Sequence, residues 1–490
     1  MTALLSEVIA PVLIDVRGDS AAGIPLDCPV ANDSRNVSPG GVFIAVPGWK
    51  FDGHDYIGEA LAAGARAIVH ERELASYDPN TVYYRCSSAA LANGLIWKAR
   101  FGRPDESLEV LGVTGTNGKT TTAFLLEQIF SRAGRSCGLI STVEYRDGSK
   151  RYPSTNTTPG AKRLYELLAA MRDNGLRAAA MELSSHALDQ RRAAGLKLAA
   201  GIFTNLTGDH LDYHGDMESY YQSKKRMFTE LLAPDGAAVI NVDDAYGRRL
   251  ADELKKLRHV ETFGVSEHAD WRICDIKLGA DGAWFMLASE DRAFELGSNL
   301  IGAHNVHNLA GAVLAALARG VSPDALDSAL RERIVVPGRL EALRRADGAV
   351  FYVDYAHTDD ALANVIATLR PLAAGRLMVV FGAGGDRDRS KRPRMGKAAS
   401  AADVLIVTSD NPRSEAPEAI IAEVVSGIPS GSVFEVVPDR RAAISRAFAL
   451  AGPGDCVLVS GKGHEDYQEI AGVKHHFSDR EEIEKLLERG

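Results

Sequence analysis

The sequence predicts an α/β protein of three domains, on three observations. The chain has 490 residues, too many for one ordinary hydrophobic core. Strand-like and helix-like segments alternate through its middle and again in its last third, which is typical of parallel strands joined by crossover helices. The alternation is interrupted near Val336-Pro337-Gly338. We therefore predict domains over residues 1–105, 106–335 and 336–490.

Apolar spacing and glycine stops predict the individual elements. The first section has strand patterns at Val42–Val46 and Ala67–Val69, and a helix pattern near Asp55–Ala63 that stops at Gly64. The central section is predicted to contain a strand from Leu108, a helix at 120–134, and strands at Ala178–Leu183, Gly201–Leu206 and Ala237–Val242. After the boundary, alternating strands and helices are predicted from the runs AVFYVDY, DDALANVIATLRPL, RLMVVFG, KRPRMGKAASA, VLIVTSD and CVLVSG.

Composition excludes several classes of function. Hydrophobic residues make up 46% and charged residues 25%, and the net charge of -9 argues against a general nucleic-acid or membrane-surface binder. No stretch approaches the roughly 20 apolar residues of a membrane span, and the N-terminal sequence lacks the features of a secretory signal. The five cysteines are widely spaced and suggest neither zinc nor a disulfide framework. A reducing, cytoplasmic location is expected.

The strongest chemical signal is the segment Gly115–Thr121, GTNGKTT, between a predicted strand and a predicted helix. Backbone N–H groups and a helix N-terminus favour phosphate there, Lys119 adds positive charge, and the Thr120 hydroxyl is suited to Mg²⁺. The pattern is GxxGKT rather than GxxxxGK[ST], since the first glycine of the longer pattern falls at Val113. This segment predicts a nucleotide site, but it does not decide the reaction.

Polar residues after later strands are candidates for metal binding. Glu182 ends a predicted strand, where open α/β sheets place ligands, although an exposed loop glutamate is the alternative. His186 is more typical of a structural or capping histidine. Asp209, His210 and Asp212 follow another strand and, together with Glu182, have the chemistry for a second Mg²⁺. Lys224 and Lys225 by composition alone favour a basic helical face.

Eleven segments occur in an order that resembles the Mur ligase family, and within it the diaminopimelate-adding ligases. They cover nearly the whole chain, and in order they read GTNGKTT, TNTTPG, MELSSHALDQRR, NLTGDHLDYHG, YQSKKRMF, GAHNVHNLAGA, VPGRLE, VDYAHTDDAL, GAGGDRDRSKRP, SDNPRSE and SGKGHEDYQ. The resemblance implies an N-terminal UDP-precursor-binding α/β domain, a central P-loop ATPase-like parallel-sheet domain and a C-terminal Rossmann-like domain. One departure is Asp359, where a proline is expected after His357-Thr358.

The resemblance also implies roles for residues around ATP and two Mg²⁺ ions. Lys119, Glu182, His210 and Lys224 are the implied catalytic residues. Lys224 lies four residues before Phe228, the spacing of a lysine that is carbamylated in the family and then acts as a metal ligand. The implied metal ligands are Thr120, Glu182, His210 and carbamylated Lys224. The implied ATP-binding residues are Gly115, Thr116, Asn117, Gly118, Lys119, Thr120, Thr121, Asn305, Asn308, Arg339 and Asp354.

Two further sites are implied for the substrates. The UDP-linked precursor is expected at Ser34, Trp49, Lys50, Phe51, Asn156, Thr157, Thr158, Ser184, Gln190 and Arg192. Meso-diaminopimelate is expected at Arg387, Asp410, Asn411, Pro412, Arg413, Gly461 and Glu465. An arginine can bind the far carboxylate of diaminopimelate through two parallel hydrogen bonds, and a glutamate can pair with its ammonium. Lysine lacks that far carboxylate, so lysine-adding relatives are expected to lack this arginine.

The reaction implied by the resemblance joins meso-diaminopimelate to the D-glutamate of UDP-N-acetylmuramoyl-L-alanyl-D-glutamate, using ATP and an acyl phosphate. It would serve peptidoglycan synthesis, and with it cell-wall formation, cell shape and cell division, and we expect a monomer with no nucleic-acid or membrane partner. Alternatives are a lysine-adding or other Mur ligase, a folylpolyglutamate-like synthetase, and a nucleotide-dependent switch without ligase chemistry. The run GAGGDRD could be taken as the dinucleotide-binding loop of a dehydrogenase, but it does not match the pattern GxGxxG that such a loop requires.

Overall fold

The computed structural model of the protein describes residues 3–18, 23–48 and 51–489 and divides into two units. The first unit comprises residues up to Leu206, Gly215–Thr262 and Gly311–Leu326. The second comprises Thr207–His214, Phe263–Ala310 and the residues from Asp327 onward. The exact domain boundaries at 105 and 335 stay a prediction.

The N-terminal part of the first unit is a five-stranded sheet with helices on both faces. Its elements are α1 (Leu5–Ile9), β1 (Leu13–Arg17), β2 (Val30–Ala31), β3 (Val42–Ile44), α2 (Ile57–Ala62), β4 (Ala67–His70), β5 (Val82–Cys86) and α3 (Ala89–Arg100). The strand order is β1-β5-β4-β3-β2, and only β1 runs antiparallel to its neighbour. Successive side chains of a strand point to opposite faces. Val42 and Ile44 accordingly pack into the cluster of Ile96, and Phe43 into the cluster of Ala60.

The helix predicted near Asp55–Ala63 begins differently from the prediction. Gly53–Tyr56 forms a 3-10 helix, and the α-helix covers only Ile57–Ala62. The side chain of Asp52 accepts a hydrogen bond from the His54 N–H at 3.0 Å. A side-chain cap of this kind satisfies a backbone N–H that the first turn leaves without a partner, so the helical segment begins before the apolar pattern does.

The central elements follow in chain order. They are β6 (Glu109–Thr114), α4 (Lys119–Arg132), β7 (Cys137–Ile140), β8 (Glu144–Arg146), β9 (Arg151–Pro153), α5 (Ala161–Asp173), β10 (Ala178–Glu182), α6 (Ser185–Asp189), β11 (Leu198–Phe203), α7 (Leu211–His214), α8 (Met217–Arg226), β12 (Leu232–Asn241), α9 (Ala245–Leu254) and β13 (Val260–Gly264). In the first unit, the order β12-β11-β6-β10-β7 is parallel throughout, and β8 and β9 add an antiparallel hairpin. The predicted parallel strands with crossover helices are confirmed.

The second unit contains a six-stranded sheet and a group of antiparallel strands, whereas the residues Gly311–Leu326 belong to the first unit. The remaining elements are β14 (Trp271–Gly279), β15 (Gly282–Ala288), β16 (Ala293–Ser298), α10 (Ala303–Ala318), α11 (Pro323–Arg331), β17 (Glu341–Arg344), β18 (Val350–Asp354), α12 (Asp359–Leu369), β19 (Leu377–Phe381), α13 (Lys391–Ala399), β20 (Val404–Val407), α14 (Pro417–Val425), β21 (Phe434–Val436), α15 (Arg440–Leu450), β22 (Cys456–Ser460), β23 (Tyr467–Ile470), β24 (Val473–His476) and α16 (Asp479–Arg489).

The six-stranded sheet is doubly wound, as a Rossmann-like domain requires. Its order is β17-β18-β22-β19-β20-β21, with β17 antiparallel and the other pairs parallel. On β19, Val379 packs into the cluster that holds Ile366 of α12, while Val380 packs into the cluster that holds Ile444 of α15. The antiparallel strands β14–β16 were not predicted. Their exposed positions interrupt the apolar runs, because an antiparallel sheet can present one face to water.

A buried ion pair connects α3 to a later loop of the first unit. Lys98 Nζ donates to Asp105 Oδ2 at 2.7 Å and to the Gly195 carbonyl oxygen at 3.1 Å. The same Asp105 oxygen accepts from the Lys197 backbone N–H at 3.0 Å. Both charged side chains are almost fully buried. Removing either partner therefore leaves a buried charge without its closest counter-charge.

We expect Asp105→Ala to lower the free energy of unfolding by about 3–5 kcal/mol, because it leaves the Lys98 ammonium buried without its close counter-charge. The matched control is Glu106→Ala, since Glu106 lies 3.9 Å from the same ammonium but is 42% exposed. The control should cost less than about 1 kcal/mol. Urea unfolding followed by circular dichroism measures both, and equal losses would contradict the role of burial.

Candidate active site

The glycine-rich segment forms a loop between β6 and α4 whose backbone is held by its neighbours. Gly115 has φ 149°, and a Cβ there would lie 1.9 Å from Thr204 Oγ1, so only glycine fits. Thr204 Oγ1 donates to the Asn117 carbonyl oxygen at 2.6 Å. Asn205 accepts from the Thr116 N–H through its carbonyl and from the Asn117 N–H through its side chain, both at 2.9 Å. The loop is therefore preorganised before any phosphate binds.

Two lysines direct positive charge into this loop. Lys119 Nζ donates to the carbonyl oxygens of Gly115 and Thr116, at 2.9 and 2.8 Å. Lys224 is 1% exposed, and its Nζ donates to the same Gly115 carbonyl at 2.7 Å. Lys225 instead pairs with Glu253 at 2.7 Å. Of the two adjacent lysines, it is thus Lys224 that the fold brings to the phosphate loop.

The helix that carries Lys224 ends in a π-helical turn. The α-helix α8 ends at Arg226, and Met227–Leu231 continue as a π-helix that includes buried Phe228. Such π-turns occur frequently at functional sites. Tyr220, one turn before Lys224, has its ring 4.5 Å from the lysine Nζ and its hydroxyl 3.2 Å from Thr116 Oγ1. A tyrosine that contacts both groups constrains the lysine relative to the loop.

Glu182 lies at the carboxyl end of β10, level with Val113 of β6. It is 1% exposed, and its two carboxylate oxygens accept from the backbone N–H and the hydroxyl of Thr142, at 2.7 and 3.1 Å. Within residues 3–18, 23–48 and 51–489, no cationic side chain lies within ion-pair distance of Glu182. A buried carboxylate is costly without a counter-charge, so the residues fit a bound divalent cation. Within the described part of the chain, no cluster of three or more acids, histidines or cysteines could hold a metal by itself.

The predicted precursor-binding residues of the central section gather around Glu182 and α6. Thr158 Oγ1 donates to the Glu182 carbonyl oxygen at 2.8 Å and accepts from the Ser184 N–H at 3.1 Å. Thr142 Oγ1 lies 3.1 Å from Thr157 Oγ1. Near them, the Arg192 guanidinium donates to the Thr158 carbonyl and to Gln190. Ser184 also caps α6 by accepting from Ala187.

The remaining predicted precursor residues have separate surroundings. The Asn156 N–H donates to the Tyr145 hydroxyl at 3.1 Å. Ser34 is buried in the N-terminal part, where its hydroxyl donates to Glu59 at 2.9 Å. Phe51 is 69% exposed. Trp49 and Lys50 lie outside the described residues.

His210 belongs to the second unit and has a constrained backbone, with φ 55°. Its neighbour Asp209 is buried and accepts from Lys391 Nζ at 2.6 Å and from the His210 N–H at 2.9 Å. Burial alone would raise the pKa of Asp209, but the charges of His210, Lys391 and His357 outweigh it and hold that pKa well below its usual range. Asp209, considered above as a metal ligand, therefore acts in this structure as the partner of Lys391.

The predicted adenine and ribose residues lie around a cavity of the second unit. The cavity has a volume of about 290 Å³, and Asn305 and Arg339 line it. Asn308 donates to the Asn305 side chain at 3.0 Å. The carboxylate of Asp354 accepts from the N–H groups of Leu340 and Ala356, at 2.7 and 2.8 Å. Burial raises the pKa of Asp354, although the nearby charge of Arg339 opposes the rise.

The predicted amino-acid site forms at the carboxyl ends of β19, β20 and β22. Asn411 donates to Glu465 Oε2 at 2.9 Å, and Asp410 and Asn411 are both buried. Arg413 has φ 53° and donates to the Gly385 carbonyl at 2.6 Å. Acids and an arginine therefore converge in one place, as a ligand with both charges requires.

Two glycine positions place the rest of this set. A Cβ at Gly384 would lie 3.0 Å from the Arg413 guanidinium and 3.8 Å from Arg387 Cγ, so the two arginines flank one point of the loop. A Cβ at Gly461 would lie 3.0 Å from Asp410 Oδ2. All the predicted residues from the loops after β19, β20 and β22 thus lie near one another.

Two sequence questions are settled by local structure. Asp359, found where the family pattern has proline, is the first residue of α12, and Thr358 caps that helix by accepting from Ala361. The first helical position accepts both proline and an acidic residue, so the loop keeps a normal helix start. The run GAGGDRD follows β19, but α13 begins only at Lys391. A dinucleotide-binding loop leads directly into its helix, which excludes that interpretation.

Sequence reasoning missed several residues that position the site. Thr204 and Asn205 directly follow β11, the neighbour of the phosphate-loop strand, and this adjacency was the available signal. Thr142 belongs to no local motif, and its contact with Glu182 arises only in the folded chain. Lys462 lies within the segment SGKGHEDYQ, but no role was predicted for it. In the structure it is fully buried, and its Nζ donates to Asn411 Oδ1 at 2.9 Å. A buried lysine cannot be distinguished from a surface lysine by composition.

Three family profiles match the sequence of this chain. They are the Mur ligase family catalytic domain over 30–93, the Mur ligase middle domain over 113–316, and the glutamate ligase domain of Mur ligases over 338–463. The chain belongs to the Mur ligase family of ATP-dependent ligases. Among the described residues, none of the helices has the length and apolar character that a bilayer crossing requires.

Individual relatives resemble the chain over nearly its whole length. A UDP-N-acetylmuramoyl-L-alanyl-D-glutamate–2,6-diaminopimelate ligase of Geobacter metallireducens is 44% identical over 478 residues, covering 92% of each chain. The protein of the same name from Aquifex aeolicus is 43% identical and covers 93% of this chain and 92% of its own. A solved structure of a protein with that name has 35% identity and a TM-score of 0.70, covering 100% and 99% of the two chains.

We expect Asn205→Ala to weaken ATP binding by about fivefold, because the Asn117 N–H loses its side-chain acceptor and each such bond contributes about 1 kcal/mol. Isothermal titration calorimetry with ATP measures the dissociation constant. Asn174→Ala is the control, since Asn174 donates to the Asp147 carbonyl near the amino end of β10. Unchanged affinity in Asn205→Ala would show that the loop does not need this support.

Proposed function

We propose that this chain ligates meso-diaminopimelate to the D-glutamate of UDP-N-acetylmuramoyl-L-alanyl-D-glutamate, in peptidoglycan synthesis. The observation that carries the proposal is the convergence of Asp410, Asn411, Arg413 and Glu465 at one edge of the second unit's sheet. Meso-diaminopimelate has an amino-acid head at each end, so its non-reacting end presents both an ammonium and a carboxylate. An acid and an arginine side by side match that head. Relatives that carry this activity in their names support the same choice.

The first half of the reaction activates the acceptor. The glutamate carboxylate of the precursor attacks the γ-phosphoryl group of ATP, ADP leaves, and an acyl phosphate forms. Lys119 is held by two carbonyl oxygens of the phosphate loop, from which it can neutralise charge on the transferring group.

In the second half of the reaction, the amine of diaminopimelate attacks the acyl carbon, and phosphate departs from the tetrahedral intermediate.

We propose Mg²⁺ as the cation of this site, with two ions. Glu182 and Thr120 would hold the ion on the ATP phosphates, and His210 and carbamylated Lys224 would hold the second. Bound Mg²⁺ supplies charge neutralisation for the phosphoryl group. Among the described residues no cation pairs with the Glu182 carboxylate, and this supports a metal there. The burial of Lys224 against the phosphate loop supports its modification, because a carbamate converts this cation into an oxygen ligand.

The precursor is proposed to bind through Ser34, Trp49, Lys50 and Phe51, through Asn156, and through the group around Glu182. That group consists of Thr157, Thr158, Ser184, Gln190 and Arg192. ATP is proposed to contact Asn305, Asn308, Arg339 and Asp354 in addition to the phosphate loop. We place the enzyme in the cytoplasm, where ATP is available and where its five free cysteines stay reduced. A monomer with domains divided near 105 and 335 completes the proposal.

The nearest alternative substrate is lysine, which a related ligase would add at the same step. Lysine carries an ammonium but no carboxylate at its far end. Arg413 is 20% exposed and lies 3.6 Å from Glu469, and with lysine bound it would have no ligand carboxylate to pair with. A site built to bind a substrate group discriminates strongly against an analogue that lacks that group. The placement of Arg413 beside Arg387 therefore favours diaminopimelate.

Phosphate release in the presence of ATP, Mg²⁺ and the UDP-linked dipeptide precursor tests this function. We expect release with meso-diaminopimelate and at least about a hundredfold less with lysine. Mass spectrometry should find the tripeptide product. Lys119→Ala should release none while keeping its circular dichroism spectrum. Release with lysine instead would overturn the amino-acid site, and release without any amine would indicate a nucleotide switch.

The adjacent lysines provide a matched pair for testing the carbamate. We expect Lys224→Ala to reduce kcat by at least about a hundredfold, because it removes a metal ligand. Acetate or formate should restore part of the activity by supplying a carboxylate in the space left by the side chain. Lys225→Ala, which loses only the ion pair with Glu253, should stay within about twofold of the unaltered enzyme. Equal losses in both variants, without rescue, would contradict the assignment of Lys224.

A further inference from the structure

Lys462 is a buried cation of the amino-acid site that the reaction described above leaves without a role. It follows β22 by two residues and is fully buried. Its Nζ donates to Asn411 Oδ1 at 2.9 Å and to Asp410 Oδ1 at 3.3 Å, and it lies 3.5 Å from Glu465 Oε2. One ammonium thus contacts three of the residues assigned to diaminopimelate.

The first consequence concerns the charge of the site. Asp410 and Glu465 are two acids around one lysine. Burial and the charge of Asp410 raise the pKa of Glu465, whereas Lys462 lowers it. The three groups together carry one net negative charge. Without Lys462, two negative charges would remain, and they would repel the far carboxylate of an incoming amino acid.

The second consequence concerns the orientation of the Asn411 amide. Its Oδ1 accepts from Lys462 Nζ and from the Glu469 backbone N–H, both at 2.9 Å. Its Nδ2 donates to Glu465 Oε2 at 2.9 Å. A flipped amide would point its NH₂ group at the ammonium and at another N–H, so Lys462 excludes that state. The Glu465 carboxylate is thereby held by one oxygen, and its side chain stays 16% exposed.

We infer that Lys462 is a positioning residue that makes the site selective for an amino acid with both an ammonium and a carboxylate at its far end. This inference rests on the proposed function. Lys462 balances Asp410, so that Glu465 remains as the acid for the ammonium, and Arg413 keeps its attraction for the carboxylate. The lysine acts through these neighbours and has no contact with the reacting atoms.

The test replaces Lys462 by methionine, which keeps an unbranched side chain beside Tyr467 and removes the charge. The readout is the ratio of kcat/KM for meso-diaminopimelate to kcat/KM for lysine. We expect Lys462→Met to lower this ratio by about tenfold or more, because only diaminopimelate has a carboxylate to be repelled. The KM for ATP should not change. The matched control is Lys474→Met, since Lys474 lies over the same Tyr467 ring, 3.9 Å from its centre, and is exposed.

A double variant separates charge balance from packing. Lys462→Met combined with Asp410→Asn removes one charge of each sign and should recover part of the lost ratio. A purely structural role predicts equal losses with both amines and no recovery, and that result would overturn the inference, as would a ratio unchanged in Lys462→Met. If the single variant does not fold, the double variant decides: a ratio within about threefold of the unaltered enzyme supports charge balance, and a lower one overturns it.

The unaltered enzyme distinguishes this failure from failure of the proposed function. If the unaltered chain forms no tripeptide with diaminopimelate, the proposed function itself is wrong. If it forms the tripeptide and Lys462→Met keeps the same amine ratio, only the role of Lys462 is wrong.

Discussion

In the central sheet and in the six-stranded sheet, the register of the parallel strands brings the carboxyl ends of neighbouring strands to one edge. Glu182 lies level with Val113, and Phe203 with Thr114, so the phosphate loop, the acid and the Thr204-Asn205 support follow their strands at the same edge. The second sheet does the same with the loops after β19, β20 and β22. Residues far apart in the chain become neighbours because the strands are parallel.

Buried charge is the second constraint, and it decides which residues at these edges have chemical roles. Lys224 and Lys462 are lysines that the fold buries, and each donates to polar groups of a candidate site. Glu182 is a buried acid whose donors are neutral. Since an isolated buried charge is costly, each such group requires a partner in the protein or in the ligand. In this protein Asp410 and Glu465 are the charged partners of Lys462, whereas no described residue supplies a cation to Glu182, which points to a metal there.

The apolar patterns predicted the core elements well, because parallel strands buried on both faces are continuous apolar runs. The strands at Ala178–Glu182 and Cys456–Ser460 were visible for that reason. The antiparallel strands β14–β16 were not, since their exposed positions interrupt the runs. The 3-10 turn before α2 was also missed, because the Asp52 side chain, and not the apolar spacing, determines where that helix begins.

The sequence alone determined the family, the phosphate loop and the acid–arginine motif, because each depends on residues that are adjacent in the chain. It predicted Lys224 only through the resemblance, and by itself it did not separate that lysine from Lys225. Only the tertiary structure shows that Lys224, and not Lys225, lies against the glycine-rich loop, and only it places Thr142 on Glu182 and Lys462 among Asp410, Asn411 and Glu465. Burial and long-range contact arise from the packing of distant segments, and local composition contains no record of either.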